Sequence, residues 1–242
     1  MMDTQTDAQI FLAEQRGLSQ TDFLRSYHTF NFGPYVAEGR EPFGPLHLLN
    51  DDTLRAGASL SLHVEQPTDV LLLPLAGGLE YRRDGEADSD FLEPGQVGVL
   101  SLDAGMGYVV SNPYETETIQ FLQIWLAKPR HDFAPAVDHI RFDLGVKNTL
   151  SPLFGADGMS TNRGFIGQYG GRQEGTYTVA GATADRPSRV FVFVLQGVFE
   201  VANRLLHEKD GLALFYEQDD GLEFEALSND AILLLLDMPT NP

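Results

Sequence analysis

The chain has 242 residues, an apolar fraction of 43% and no cysteine. That suits one large β domain or two smaller domains with a real core, and it excludes disulfides, thiolate metal sites and thiol nucleophiles. The formal net charge is −19, from 35 acidic and 16 basic residues; such a surface repels nucleic acid and anionic membranes.

The expectation is therefore no direct nucleic acid binding. The longest apolar runs, 70-VLLLPLAGG-78 and 231-AILLLLDM-238, are too short to span a bilayer as helices. No basic stretch followed by an apolar one opens the chain. A cytoplasmic protein with no membrane partner, a monomer or weak dimer, is the reading that follows.

Residues 1–25 are polar and mixed, with Ser19 or Thr21 placed to cap a short helical turn. The segment 46-LHLLN-50 reads as a strand, and 50-NDDTLRAG-57 as a turn. Next, 59-SLSLHVE-65 alternates polar and apolar residues, as a strand with one buried face does. The run 69-DVLLLPLAG-77 is a strand whose Pro74 predicts an edge position or a bulge. Residues 79–83 lead into Asp84–Gly85, a hairpin turn signal. Three more strands are predicted in 94-PGQVGVLSL-102, 104-AGMGYVVSN-112 and 117-ETIQFLQIWLA-127. Short strands about ten residues apart, separated by Gly/Pro turns, argue for a β-sandwich or barrel and against βαβ units.

The polar, Pro-containing stretch 128-KPRHDFAPAVDH-139 reads as a connection between domains. A second β-rich half follows and echoes the first. 70-VLLLPLAGGLEYRR-83 is similar to 190-VFVFVLQGVFEVAN-203, and 93-EPGQVGVL-100 to 208-EKDGLALF-215. Two copies of one β-barrel architecture are expected.

In 25-RSYHTFNFGPY-35, in 43-FGPLHLLNDD-52, and in the spacing from Gly57 through Tyr81 to 94–112, the chain resembles the pirin family. The ending 211–239 resembles the second barrel of the YhaK-type pirin-like branch. The resemblance implies an all-β bicupin: two jelly-roll-like cupin barrels, with an N-terminal cupin domain over 1–130 and a C-terminal one over 131–242. In pirins the first barrel holds one metal through three histidines and a glutamate, and the second usually holds none. Some members resemble quercetin 2,3-dioxygenases; others are protein partners in transcriptional regulation.

A non-haem metal centre needs three or four N/O ligands and an open position. His63 and Glu65, two apart on a strand, share a face. On the first cupin motif, Gly57 and His63 fit, Glu65 stands in place of the second histidine, and Asp69 lies near the later carboxylate, which in pirins is usually not a ligand. On the second, Gly105 and Asn112 fit the frame, but Tyr108 replaces the histidine and Val110 the glutamate. The metal set carried over is thus His63, Glu65 and Tyr108, a degenerate one. His63 has a second reading, as a histidine hydrogen-bonded to Glu65 or Tyr108, and His28 as a residue that fixes the N-terminal segment. His47, His131, His139 and His207 are scattered.

The expected function is a pirin-like bicupin that binds a small molecule or a protein partner without catalysis and without a cofactor. The alternative is a quercetin 2,3-dioxygenase-like oxygenase with Fe or another divalent transition metal at an altered His63–Glu65 site. No catalytic residue is assigned.

Overall fold

A computed structural model describes residues 7–128, 137–155 and 161–239. His131 and most of the connecting stretch lie outside them. The chain divides into two compact units, Arg16–Arg141, and Phe142 onward together with the N-terminal stretch through Gln15.

The first unit pairs a seven-stranded sheet with a four-stranded one. The large sheet runs β12 (Val137–Arg141), β9 (Gln96–Leu102), β6 (Thr68–Ala76), β11 (Ile119–Ala127), β4 (Leu46–Leu54), β3 (Leu24–His28) and β2 (Gly17–Gln20). The small sheet runs β5 (Ser59–His63), β10 (Gly107–Ser111), β7 (Leu79–Arg83) and β8 (Asp90–Leu92). The second unit repeats the plan. Its large sheet is β1 (Ala8–Phe11), β19 (Gly211–Tyr216), β16 (Ser188–Gln196), β21 (Ala231–Pro239), β14 (Arg163–Tyr169) and β13 (Ser151–Phe154). Its small sheet is β15 (Glu174–Val179), β20 (Asp220–Ala226), β17 (Phe199–Val201) and β18 (Arg204–Leu206). Each pair of sheets encloses one apolar core. The all-β, two-barrel expectation holds.

The register makes the repeat quantitative. Val70 lies between Trp125 and Leu100, and Val190 between Asp237 and Leu214. The echo of 70–83 in 190–203 therefore coincides with the fold. The second echo is off by one: it sets Leu100 against Phe215, whereas the ladders make Leu214 its equivalent. In a strand such a slip exchanges inside for outside.

Two edge strands cross the boundary expected at 130/131. β12, which the sequence assigns to the connection and the second domain, pairs with β9 of the first unit. β1, from the first domain's expected range, pairs with β19 of the second. Each strand closes an otherwise open sheet edge, where unpaired backbone groups would remain.

Other differences are local. No helical turn is capped by Ser19, which lies in β2; Thr21 instead accepts the amides of Phe23 and Leu24 at the β2–β3 turn, at 3.4 and 3.1 Å. The predicted turn at 50–57 begins only after Leu54, because Asn50, Asp51 and Asp52 are held in β4 by ladders on both sides. Pro74 fits the expectation of an edge position or a bulge: β6 lies inside its sheet, but its ladder to β9 ends at Leu72, so Pro74 is paired on the β11 side alone, and that ladder shifts register beside it. β6 is buried on both faces through Pro74, which is why its sequence is continuously apolar rather than alternating.

Candidate functional site: the interior of the first barrel

Successive side chains of a strand point to opposite faces. On the β5–β10 pair, Leu62 lies opposite Tyr108 and Leu60 opposite Val110, while His63 lies opposite Gly107 and Ser61 opposite Val109. Tyr108 and Val110 are fully buried in the core, with Leu60 and Leu62 packed against it. His63 and Glu65 are exposed, and Val64 between them is buried. The exposed face is marked further by a hydrogen bond of 2.8 Å between the hydroxyls of Ser59 and Ser111.

The structure thus does not bring His63 and Glu65 to Tyr108. A His-x-His pair that shared the face of positions 108 and 110 would occupy Leu60 and Leu62, not 63 and 65. The alternation 59-SLSLH-63 contains this information, since its leucines face the core. The motif glycines are where the frame requires them: Gly57 and Gly105 have φ of 67° and 85°, a conformation that favours glycine. The motif glycines stand in place, and the inward positions beside them hold Leu60, Leu62, Tyr108 and Val110.

Asp69 faces away from the interior. Its carboxylate accepts the Ser101 hydroxyl at 2.5 Å and lies 3.3 Å from Lys128 Nζ. His28 is buried: Nδ1–H donates to Asn50 Oδ1 at 2.9 Å, and Nε2 accepts from the Ser19 hydroxyl at 2.8 Å. The amide oxygen of Asn50 sets that tautomer. Burial pulls the His28 pKa below its usual value, partly opposed by Asn50. It ties β2, β3 and β4 together, the anchoring role read from the sequence. His47 meets Gln66 at 3.0 Å, His139 meets the hydroxyl of Tyr81, and exposed His207 belongs to the second unit.

What fills the first barrel is a hydrogen-bonded chain that the sequence pattern does not announce. Trp125 Nε1–H donates to the Tyr108 hydroxyl at 2.9 Å, and that hydroxyl donates to Gln123 Oε1 at 2.6 Å. Gln123 Nε2–H in turn donates to Asp52 Oδ2. Tyr108, Gln123 and Asp52 are all completely buried. Burial drives the Tyr108 hydroxyl to hold its proton, and the nearby Asp52 carboxylate adds to this. Asp52 is pushed up to about 6, chiefly by burial; the hydroxyl of Ser26 and the Gln123 amide pull it back, and Asp51 adds repulsion. Asp52 Oδ1 has no hydrogen-bond partner. The only signal for this network is parity. Asn50, Asp52 and Gln123 alternate with the same spacing as Leu48, Leu54 and Phe121, so they are polar residues on a core face. The run Asn50-Asp51-Asp52 reads first as a turn and hides them.

The pirin metal can be tested against these residues. Four inward positions of the β5–β10 pair offer three aliphatic side chains and one phenol. That phenol already donates and accepts, and burial opposes its ionisation to the phenolate a metal would take. The donor set does not fit the ion. Among the described residues, no three His, Asp or Glu side chains come together to hold a metal.

No family model matches the chain. It is 26% identical over 229 residues to a quercetin 2,3-dioxygenase of Escherichia coli K12, covering 94% of this chain and 96% of that protein. Among solved structures, bacterial pirin YhhW from E. coli, in complex with nickel(II), superposes with a TM-score of 0.82 at 22% identity, covering 97% of this chain and all of that one. E. coli YhaK gives 0.70 at 19% identity, over 94% and 95% of the two chains. This is the bicupin fold of the pirins. Within that fold, the first barrel's interior holds a Trp–Tyr–Gln–Asp chain. No helix among the described residues is long and apolar enough to cross a membrane.

Proposed function

We propose that this pirin-like bicupin is a binding protein, taking a small molecule or a protein partner, rather than a metal-dependent oxygenase. One observation carries the reading: Leu60, Leu62, Tyr108 and Val110 occupy the inward positions of the two motif strands. Three of these have no lone pair to give a metal, and the fourth is committed to Gln123 and Trp125. The second barrel serves as the structural half, with no metal. The −19 charge supports a protein that makes no direct contact with nucleic acid, and a cytoplasmic monomer or weak dimer is the state in which we place it.

The test is metal analysis of protein purified without chelators from cells supplied with Fe, Ni, Cu, Mn and Zn, paired with a quercetin consumption assay at each loading. The expected result is metal far below one per chain and no turnover. Near-stoichiometric metal that disappears in His63→Ala or Glu65→Ala, with flavonol turnover, would replace this reading by the oxygenase alternative.

A further inference from the structure

A cleft of about 160 Å³ opens at the end of β3 and β4, on the face of the large sheet turned away from the first barrel's core. Its polar lining is Arg25, Arg55, Thr21, Thr53, Thr118 and Gln20. The ladders explain why these converge. Arg25 lies directly between Gln20 and Thr53 on neighbouring strands, and Arg55, one residue past the end of β4, lines the same cleft. The volume is about five times the ~30 Å³ that a water occupies in the liquid, enough for a tetrahedral oxyanion and some of its hydration.

Two cations meet at this cleft in a strongly acidic chain. In a chain with 35 acidic residues against 16 basic, Arg16, Arg83, Arg163 and Arg172 each have a carboxylate within reach. Among the described residues neither Arg25 nor Arg55 has an ion-pair partner. The guanidinium of Arg25 lies 5.8 Å from the centre of the Tyr27 ring, which restrains it without neutralising it. Asp51 shares this face, but its charge is already answered by Arg16 at 3.7 Å and by a hydrogen bond from Gln120 at 2.8 Å. The Thr21 oxygen accepts two backbone amides, which leaves its hydroxyl hydrogen available to donate.

We infer that the Arg25–Arg55 cleft is a binding site for a small oxyanion of the phosphate class. Two planar guanidinium forks match the oxygens of phosphate, and threonine hydroxyls supply neutral donors. The net charge sharpens the case. A chain at −19 repels free anions from its surface at large, so saturable anion binding requires a local cluster strong enough to reverse that field.

The experiment is titration of the full chain with inorganic phosphate at low ionic strength, by calorimetry and by ³¹P line broadening. Saturable binding of one phosphate per chain is expected, weakened at least tenfold in Arg25→Ala and in Arg55→Ala, and several-fold in Thr53→Val. Arg172→Ala, at an exposed arginine in the second unit, keeps wild-type affinity. Arg25→Lys and Arg55→Lys recover part of the loss, since charge returns without the fork; urea midpoints of all variants show that they remain folded. Phenyl phosphate in place of the free ion separates the sources: equal affinity identifies a phosphomonoester group as ligand, and a strong preference for inorganic phosphate identifies the free ion. Absence of saturable binding to the wild type, or unchanged affinity in the Arg25→Ala/Arg55→Ala double variant, would overturn the assignment.

Discussion

The two barrels share a strand plan and differ in what they bury. Through the common register, Trp125, Gln123 and Asn50 of the first barrel correspond to Asp237, Leu235 and Phe165 of the second, and Asp52 corresponds to Gly167. The first barrel keeps a polar layer in mid-sheet. The second fills that layer with Leu235, Phe165 and Gly167, and the buried charge among these equivalent positions is Asp237. That carboxylate is fully answered: Oδ2 accepts from Tyr177 at 2.6 Å and Arg163 at 2.5 Å, and Oδ1 from Ser188 at 2.6 Å. Asp52 takes a hydrogen bond from Gln123 and the influence of the Ser26 hydroxyl, no cation answers it, and its Oδ1 has no partner. The first barrel retains a polar chain at a cost in desolvation.

The contrast can be broken most forcefully at Asp237. Asp237→Ala leaves the Arg163 guanidinium and two buried hydroxyls without their acceptor. A loss of about 3–5 kcal/mol is expected, as for a buried ion pair deprived of one partner, measured by urea denaturation. A loss under ~1 kcal/mol would mean that water satisfies these groups and the two barrels are not distinguished by their pairing.

A smaller and pH-dependent effect is expected at Asp52. Its pKa rises from 3.8 to about 6 on folding, so between these values the native state binds more protons than the unfolded one. Stability contributed by the protonated form is therefore complete below about pH 4 and is lost as pH rises through 6. Two units at about 1.4 kcal/mol each set an upper bound of roughly 3 kcal/mol. Asp52→Asn, neutral throughout, removes this slope, and the variant gains on the wild type as pH climbs from 4 to 7. A stability difference that stays flat over this range would show that Asp52 is solvated or paired in solution.

The least disruptive pair separates the two faces of the motif strands. Tyr108→Phe strands the Gln123 carbonyl and the Trp125 N–H, for a loss of about 1–3 kcal/mol. His63→Ala, at an exposed position, changes the urea midpoint by less than ~0.5 kcal/mol equivalent. Equal losses from both would place His63 inside the barrel's network and undo the assignment of faces.

Much of the fold was legible along the chain. Alternation and Gly/Pro turns mark most of the strands, and the 70–83 echo in 190–203 exposes the repeat in the right register, because each barrel must bury the same faces. The candidate site was legible only in part. Gly57, Gly105 and Asn112 identify the motif frame, since a left-handed turn and a buried amide bonding two carbonyls need those residue types. Linear spacing placed His63 and Glu65 on the ligand positions, but a strand's face is set by its partner's register, one residue from what the spacing suggests. The same limit hid Asp52. Three consecutive polar residues favour a turn locally, and only pairing with β3 and β11 holds them extended and turns Asp52 inward.

By itself, then, the sequence determined an acidic, cysteine-free, two-barrel protein whose motif frame survives with a degenerate ligand set, since composition, alternation and turn residues act locally. Tertiary structure alone decided which face of β5 looks inward, that the edge strands β1 and β12 belong to opposite units, and that Tyr108, Gln123 and Asp52 meet. These depend on contacts between residues far apart in the chain, where one residue of register exchanges core for solvent.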